Sequence, residues 1–248
     1  MDRGGALVLY ARAPRLGRVK TRMLPWLDPG EALRLHLALL EDSLRLLRVC
    51  AVAAGAAPFV SMSEPWEPEE ADGCAGIAAA ARGVARLPQS GRDLGQRLQD
   101  TFRTLLARGL GRVVVIGSDS PTLPPAHLTT ALEALERGAD AVLGPAEDGG
   151  YCLVGAAREL PGMFEAIPWG TDRVLQATRA ALGRCGARVV LLPSWYDVDL
   201  PRDLERLRRD LAERPPCGAA PRGTSLFVEA LVRDGRLPLP PAQSPGRP

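Results

Sequence analysis

Lysine is nearly missing from this chain: of its 31 basic residues, 30 are arginine and one, Lys20, is lysine. A compact ammonium and a planar guanidinium are not interchangeable, so the one retained lysine hints at a position where arginine would not serve. Histidine is almost as scarce. The two present, His36 and His127, fall in helical patterns, which argues against histidine-centred chemistry. The five cysteines (Cys50, Cys74, Cys152, Cys185 and Cys217) are scattered and form no C-x-x-C pair. That spacing gives no support to a zinc or redox site, and the thiols read as reduced, mostly buried small hydrophobes. Long apolar runs are also lacking: none approaches the roughly 18 residues that cross a bilayer. Five apolar residues after Met-Asp-Arg-Gly-Gly are too few for a secretory signal, so no membrane span and a cytoplasmic location are expected. Nor does charge of one sign dominate. A net charge of +2 gives no reason to expect nucleic acid or an acidic membrane as the main partner.

What is present is enough apolar sequence for one good core, 46% hydrophobic over 248 residues. Apolar runs predict strands at Ala6–Tyr10, Pro58–Met62, Val84–Leu87, Val113–Ile116, Ala141–Leu143, Cys152–Gly155 and Arg188–Leu192. Helical patterns lie between them. The clearest opens on Asp28-Pro29-Gly30-Glu31, with Asp as N-cap, Pro at the first helical position and Glu at the third. It continues as a stripe of Leu33, Leu37, Leu40, Leu44 and Leu47. A further helix is expected from about Pro124, with Thr122 as its cap. The alternation predicts a mainly parallel sheet with helices on both faces. A single domain over residues 1–214 is expected, followed by a partly disordered Pro/Gly-rich tail over 215–248 that carries one apolar patch, Leu226 to Val232, read as a docking helix.

In such a sheet three loops open on the carboxyl edge, where α/β folds bind ligands. The first, Ala11 to Arg22, holds five cations and Gly17 and suits a polyphosphate, although it has neither the dinucleotide nor the P-loop glycine pattern. It could equally be a solvated basic loop. The second, Gln89 to Arg97, carries Gly91 and Gly95, which would let backbone approach a flat base or would simply make a turn. The third follows the four β-formers Val113 to Ile116 and presents Asp119, either as a turn-former or as a ligand. Cations beside a lone carboxylate suggest a polyphosphate bridged by a divalent ion, which is usually held by one or two carboxylates plus phosphate oxygens and water. Asp197 or Asp199, after the last strand, is the natural second carboxylate. Asp148-Gly149-Gly150 reads as a hairpin turn or as a substrate loop in which Glu147 or Asp148 meets hydroxyls.

Five stretches taken together resemble the DUF2064 family: Tyr10-Ala-Arg-Ala-Pro-Arg-Leu-Gly-Arg-Val-Lys-Thr-Arg22, Asp93-Leu-Gly-Gln-Arg97, Gly117-Ser-Asp-Ser-Pro-Thr-Leu-Pro124, Gly144-Pro-Ala-Glu-Asp-Gly-Gly-Tyr151 and Asp197-Val-Asp-Leu-Pro-Arg-Asp-Leu204. More distantly the chain is similar to molybdenum-cofactor and phospholactate guanylyltransferases. The resemblance covers roughly residues 6 to 212. It implies a GT-A-type, Rossmann-like three-layer α/β/α sandwich with a mainly parallel central sheet. It also implies a glycosyltransferase- or nucleotidyltransferase-like enzyme that uses Mg²⁺ or Mn²⁺, a nucleotide or nucleotide-sugar, and a small-molecule acceptor.

The expected catalytic residues are Lys20 and Asp119. Nucleotide binding is expected at Ala11, Gly17, Arg18, Lys20, Arg22, Asp93, Leu94 and Gly95. Substrate binding is expected at Glu147, Asp148, Gly149, Gly150 and Trp169, and the metal at Asp119 and Asp199. Two positions depart from the family's pattern: Arg92 stands before Asp-Leu-Gly where relatives tend to carry glycine, and Gly170 stands where they often carry serine. A non-catalytic nucleotide-binding or scaffold protein of the same fold is the alternative, and a homodimer is left open.

Overall fold

The computed structural model describes residues 4–66, 74–213 and 220–237. Cys217, most of the acidic connection after Trp66, and the rest of the expected tail lie outside them. Seven strands form one sheet: β1 Gly5–Ala11, β2 Ala56–Met62, β3 Ala85–Arg86, β4 Arg112–Gly117, β5 Ala141–Pro145, β6 Tyr151–Ala156 and β7 Val189–Leu191. Their order is β3-β2-β1-β4-β6-β5-β7. All pairings are parallel except those of β6, which runs antiparallel to both β4 and β5. The reversal follows from the short β5–β6 connection. A tight hairpin can join only antiparallel neighbours, whereas a parallel pair needs a long crossover.

The helices are α1 Pro29–Ala54, α2 Ala75–Ala80, α3 Leu94–Ala107, α4 Pro125–Glu136, α5 Val174–Arg184, α6 Pro201–Glu213 and α7 Arg222–Arg233. Alternate strand residues point to opposite faces, and β4 shows it directly. Val114 and Ile116 pack with Leu40, Leu44, Ile77 and Leu128 of α1, α2 and α4. Val113 and Val115 pack with Leu98, Phe102, Leu105 and Leu182 of α3 and α5. The result is the three-layer α/β/α sandwich. Among the described residues no helix is long and apolar enough to cross a membrane, and Cys152 and Cys185 are free thiols.

Helix α1 begins as its sequence dictates. The Asp28 side chain accepts from Glu31 N at 2.8 Å while Glu31 Oε2 accepts from Asp28 N at 2.9 Å. Its buried face is broader than one leucine stripe. Leu33 and Leu37 are only half-buried, whereas Leu35, Leu39 and Leu46 are fully enclosed. The cause is a third apolar cluster on the far side of the helix, where Leu35 and Leu39 meet Tyr196, Val198, Leu204 and Leu207 together with Val228 and Leu231 of α7. The α7 N-terminus is fixed to α1 by Asp42, whose buried carboxylate accepts from Gly223 N at 3.1 Å and Thr224 N at 2.7 Å. Helix α4 departs from its expected cap: Pro124 stands at the N-cap, and Thr122 Oγ1 donates instead to Tyr196 Oη at 3.0 Å.

Strands β1 and β4 are neighbours, yet the chain leaves β1 towards β2 and β4 towards the opposite edge. Their loops therefore diverge and open a crevice at the carboxyl end of the sheet. This reversal point is where ligands bind in folds of this kind.

Candidate functional site

A cleft of about 660 Å³ occupies that crevice. Three segments far apart in sequence meet in it: the loop after β1, the turn after β4, and the segment between β7 and α6. Lys20 stands at the junction. Its backbone is left-handed, with φ 48° and ψ 36°, a conformation that costs a non-glycine residue roughly 1–2 kcal/mol. The side chain is 4% exposed. Its ammonium donates to Asp119 Oδ1 at 2.5 Å, to the Val198 carbonyl at 2.8 Å and to Asp199 Oδ1 at 3.1 Å. An ammonium has three N–H donors, and all three are used. Val198 N in turn donates to the Asp119 carbonyl at 2.8 Å, so β4's turn and the residue before Asp199 are joined directly.

The two carboxylates remain in contact with the cleft, with side chains 41% and 34% exposed, while the ammonium lies beneath them. Burial alone would lower the Lys20 pKa, but the charges of Asp119 and Asp199 outweigh it and the net shift is upward. For Asp119 burial acts upward, Lys20's charge and hydrogen bond oppose it, and the carboxyl ends below its ordinary value. Both groups are therefore ionised at neutral pH. Of the two carboxylates that follow β7, Asp199 lines the cleft. Asp197 does not: it accepts from Ser120 Oγ, and burial, then Asp119's charge, pushes its pKa up to about 7.

Six cationic side chains line the cleft (Arg12, Arg18, Lys20, Arg22, Arg92 and Arg97) against four acidic ones (Glu64, Asp93, Asp119 and Asp199). Arg22 reaches Asp199 at 3.5 Å. Arg97 donates to the Gly91 carbonyl at 3.1 Å and to Gln89 Oε1 at 3.4 Å. Among the described residues, the guanidiniums of Arg12, Arg18 and Arg92 make no hydrogen bond or ion pair.

Eight of the residues singled out from sequence line this one cleft: Ala11, Arg18, Lys20, Arg22, Asp93, Leu94, Asp119 and Asp199. Others are placed elsewhere. Gly17, with φ 71°, turns the basic loop in open space. Gly95 lies behind the cleft wall, where an added Cβ would sit 2.6 Å from the Phe164 carbonyl and 2.9 Å from Trp169 Nε1. Asp93 lines the cleft but also caps α3, accepting from Gln96 N at 2.8 Å. The clearance in this loop belongs to Gly91, with φ 139°, whose Cβ would strike Gln96 and the Arg97 backbone; Arg92 is an ordinary lining residue.

Glu147, Asp148, Gly149, Gly150 and Trp169 do not line the cleft. They stand at the same sheet edge, two strands further along. Glu147 pairs with Arg206, Asp148 Oδ1 accepts from Gly150 N at 2.9 Å, and Gly149 (φ 90°) is seated against the Asp172 backbone. Trp169 meets Tyr151 edge-on, with centroids 6.2 Å apart.

Arg12, Gln89 and Arg97 belong to the loops expected at this edge, whereas His36, Ser63 and Glu64 join the wall without a sequence expectation. His36 is buried in α1, its pKa lowered by burial first, with Nε2 2.9 Å from the Arg12 carbonyl. A carbonyl only accepts, so Nε2 carries the proton. The signal available was a polar ring within the run Leu-Arg-Leu-His-Leu.

Two carboxylates within reach of one ammonium, both open to a cationic cleft, fit a divalent ion. Magnesium is commonly held by one or two carboxylates, the remaining positions going to phosphate and water. Asp119 and Asp199 are the residues that would hold it. Among the described residues no cluster of three or more His, Cys, Asp or Glu side chains is placed for a metal.

The sheet order, the reversed β6 and the cleft at the reversal point define the GT-A type of the nucleotide-diphospho-sugar transferases. The family's sequence pattern matches residues 46–171, and the chain belongs to the DUF2064 family, described as uncharacterized proteins conserved in bacteria. No curated protein matches it in sequence. Among solved structures it is similar to a protein from Desulfovibrio desulfuricans named as a candidate nucleotide-diphospho-sugar transferase, at 28% identity and TM-score 0.74, covering 91% of this chain and 97% of that one. It shares its fold with a cytidylyltransferase from Leptospira borgpetersenii, at 14% identity and TM-score 0.54, covering 94% and 96%. Glucosyl-3-phosphoglycerate synthase from Mycobacterium tuberculosis, solved with Mn²⁺ and UDP, aligns at 17% identity and TM-score 0.50, covering 95% and 81%.

Proposed function

We propose that this chain is a divalent-metal-dependent nucleotidyltransferase that joins a nucleoside monophosphate unit to a small phosphorylated acceptor. The observation that carries the reading is the closure of Lys20 on Asp119 and Asp199 beneath the uncommitted guanidiniums of Arg12, Arg18 and Arg92. A nucleoside triphosphate brings more negative charge than a diphospho-sugar, and the guanidiniums of Arg12, Arg18 and Arg92 line the cleft to meet it.

In the reaction an acceptor phosphate oxygen attacks the α-phosphorus, the bond between α-phosphorus and its bridge to the β-phosphate breaks, and pyrophosphate leaves. Arg12, Arg18 and Lys20 would take up the charge that gathers on the leaving group, the kind of electrostatic help that dominates such transfers. A metal held by Asp119 and Asp199 would add Lewis-acid neutralisation of the phosphate oxygens. The base would lie against Leu94, an apolar side chain 42% exposed at the cleft, with Ala11 and Asp93 beside it. The acceptor would come from the β5–β6 side, towards Glu147, Asp148, Gly149, Gly150 and Trp169.

A second reading, glycosyl transfer from a diphospho-sugar, is favoured by the likeness to the Desulfovibrio protein. Calorimetry with nucleoside triphosphates and diphospho-sugars, with and without Mg²⁺ or Mn²⁺, tests both. Wild type is expected to bind a metal–triphosphate, and Asp119→Asn to bind it at least about tenfold more weakly, in line with the 1.4 kcal/mol that a lost charged contact readily exceeds. Pyrophosphate release with a panel of phosphorylated acceptors then identifies nucleotidyl transfer. Binding without turnover would instead support a non-catalytic nucleotide-binding protein, and absence of any nucleotide binding overturns the proposal.

A further inference from the structure

We infer that Lys20 is an internal counter-ion that blocks the metal position until a nucleotide polyphosphate draws its ammonium away, so that metal and nucleotide bind only weakly one at a time and tightly together. The inference rests on the metal–nucleotide reading of the cleft and adds an obligatory coupling to it. Lys20 Nζ lies 2.5 Å from Asp119 Oδ1 and 3.1 Å from Asp199 Oδ1. A magnesium ion approaches a carboxylate oxygen to about 2.1 Å, so it cannot take those two oxygens while the ammonium is there. Nor is a divalent ion welcome on the outer oxygens. The two carboxylates carry two negative charges and the ammonium cancels one, leaving a single net charge beside a fixed cation that repels the newcomer.

The ammonium has little reason to leave on its own. Its third bond, to the Val198 carbonyl at 2.8 Å, saturates it, and only 4% of the side chain meets solvent. What could release it is a stronger acceptor at the cleft side. A polyphosphate supplies this, and it also supplies oxygens that complete the coordination of an ion on Asp119 and Asp199. Each ligand thus removes the obstacle to the other. By linkage, the factor by which nucleotide tightens metal binding equals the factor by which metal tightens nucleotide binding. Arginine at this position would not do the same, since a planar fork of five donors cannot saturate on three convergent acceptors. This gives the lone lysine of the chain a physical reason.

The test is direct titration of Mn²⁺, read as protein-bound ion by equilibrium dialysis with the same triphosphate concentration on both sides of the membrane, with no turnover required. Wild type, Lys20→Met, and Lys20→Met combined with Asp119→Asn are each titrated alone and with a saturating nucleoside triphosphate. Lys20→Met is expected to bind Mn²⁺ alone about tenfold or more tightly than wild type, and the added Asp119→Asn change to abolish that gain. Wild type is expected to gain about tenfold or more from the triphosphate, and Lys20→Met markedly less. Lys20→Gln repeats the measurement should the Met variant not fold. The inference is overturned if neither variant binds Mn²⁺ alone more tightly than wild type, or if the gain survives Asp119→Asn. The two readings separate cleanly. Triphosphate binding with no Lys20 effect removes the counter-ion inference and leaves the transferase. A Lys20→Met gain with no triphosphate binding keeps the block of the metal position but overturns the coupling together with the transferase.

Discussion

Replacing Asp42 by alanine should loosen the protein at a place remote from the cleft. Asp42 sits on α1 with its residue 1% exposed, and its two oxygens accept the backbone N–H groups of Gly223 and Thr224. Burial raises its pKa above the ordinary value, against the hydrogen bonds that pull it down, which marks how fully it is withdrawn from water. Alanine would leave both first-turn donors of α7 without a partner. Each unsatisfied buried N–H costs roughly 1–3 kcal/mol. Thr224 is fully enclosed but Gly223 is half-exposed and water can serve it, so the sum is about 2–4 kcal/mol. Urea unfolding at neutral pH measures it as a fall in midpoint with the slope unchanged. The effect should also reach the cleft. Val228 and Leu231 of α7 share a cluster with Tyr196 and Val198, and Val198 supplies one of Lys20's three acceptors. A loss below about 0.5 kcal/mol would show that α7 is not anchored by this carboxylate and refute the reasoning.

Two further outcomes test local geometry. Gly95→Ala places a methyl 2.6 Å from the Phe164 carbonyl; a helix would otherwise welcome alanine, but overpacking of this kind costs about 1–3 kcal/mol, read as a lowered thermal midpoint, and an unchanged or raised midpoint would contradict the packing described. Asp140 accepts from Arg158 Nε at 2.7 Å and from Arg188 N at 2.8 Å, and these bonds hold its carboxyl below the ordinary carboxylate value, the Arg158 bond most of all. An acid with a depressed folded pKa stabilises fully above its unfolded pKa, and that contribution is lost as pH falls through the folded value. Asp140→Asn should therefore cost roughly 0.5–1 kcal/mol at pH 7, with the gap to wild type closing in acid. A gap that widens in acid would reverse the assignment.

All seven strands stand where apolar runs place them; Val113–Ile116 is buried on both faces, whereas Ala85 and Arg86 of β3 and Leu191 of β7 are exposed at the sheet edges. The direction of β6 was not legible in this way, since alternation looks the same read from either end, and only the short Asp148-Gly149-Gly150 turn encodes the reversal. The width of α1's buried face depended on α6 and α7, which no leucine count along α1 reveals. In the site, the strand-end positions of Lys20, Asp119 and Asp199 already place them at one sheet edge, but do not give the direct contact of the ammonium with both carboxylates. Their meeting spans 179 positions of sequence, and only the sheet order brings them together. Gly95 reads as clearance for a flat base or as part of a plain turn, whereas its neighbours show chain packed against chain. His36 was hidden because a polar ring on an apolar helix face looks like any satisfied core histidine.

The bond pair at Val198 has a consequence for the birth of the protein. Its N–H donates to the Asp119 carbonyl and its carbonyl accepts from Lys20, so the first, middle and last thirds of the chain are pinned at one residue. During synthesis the amino-terminal strands can collapse early, as domains do from that end, but Lys20 has no saturated seat until residue 198 has left the ribosome. Closing that long loop is a late, slow event for a chain of this topology. A chain that ends before Asp199 thus lacks one of the two carboxylates that Lys20 joins.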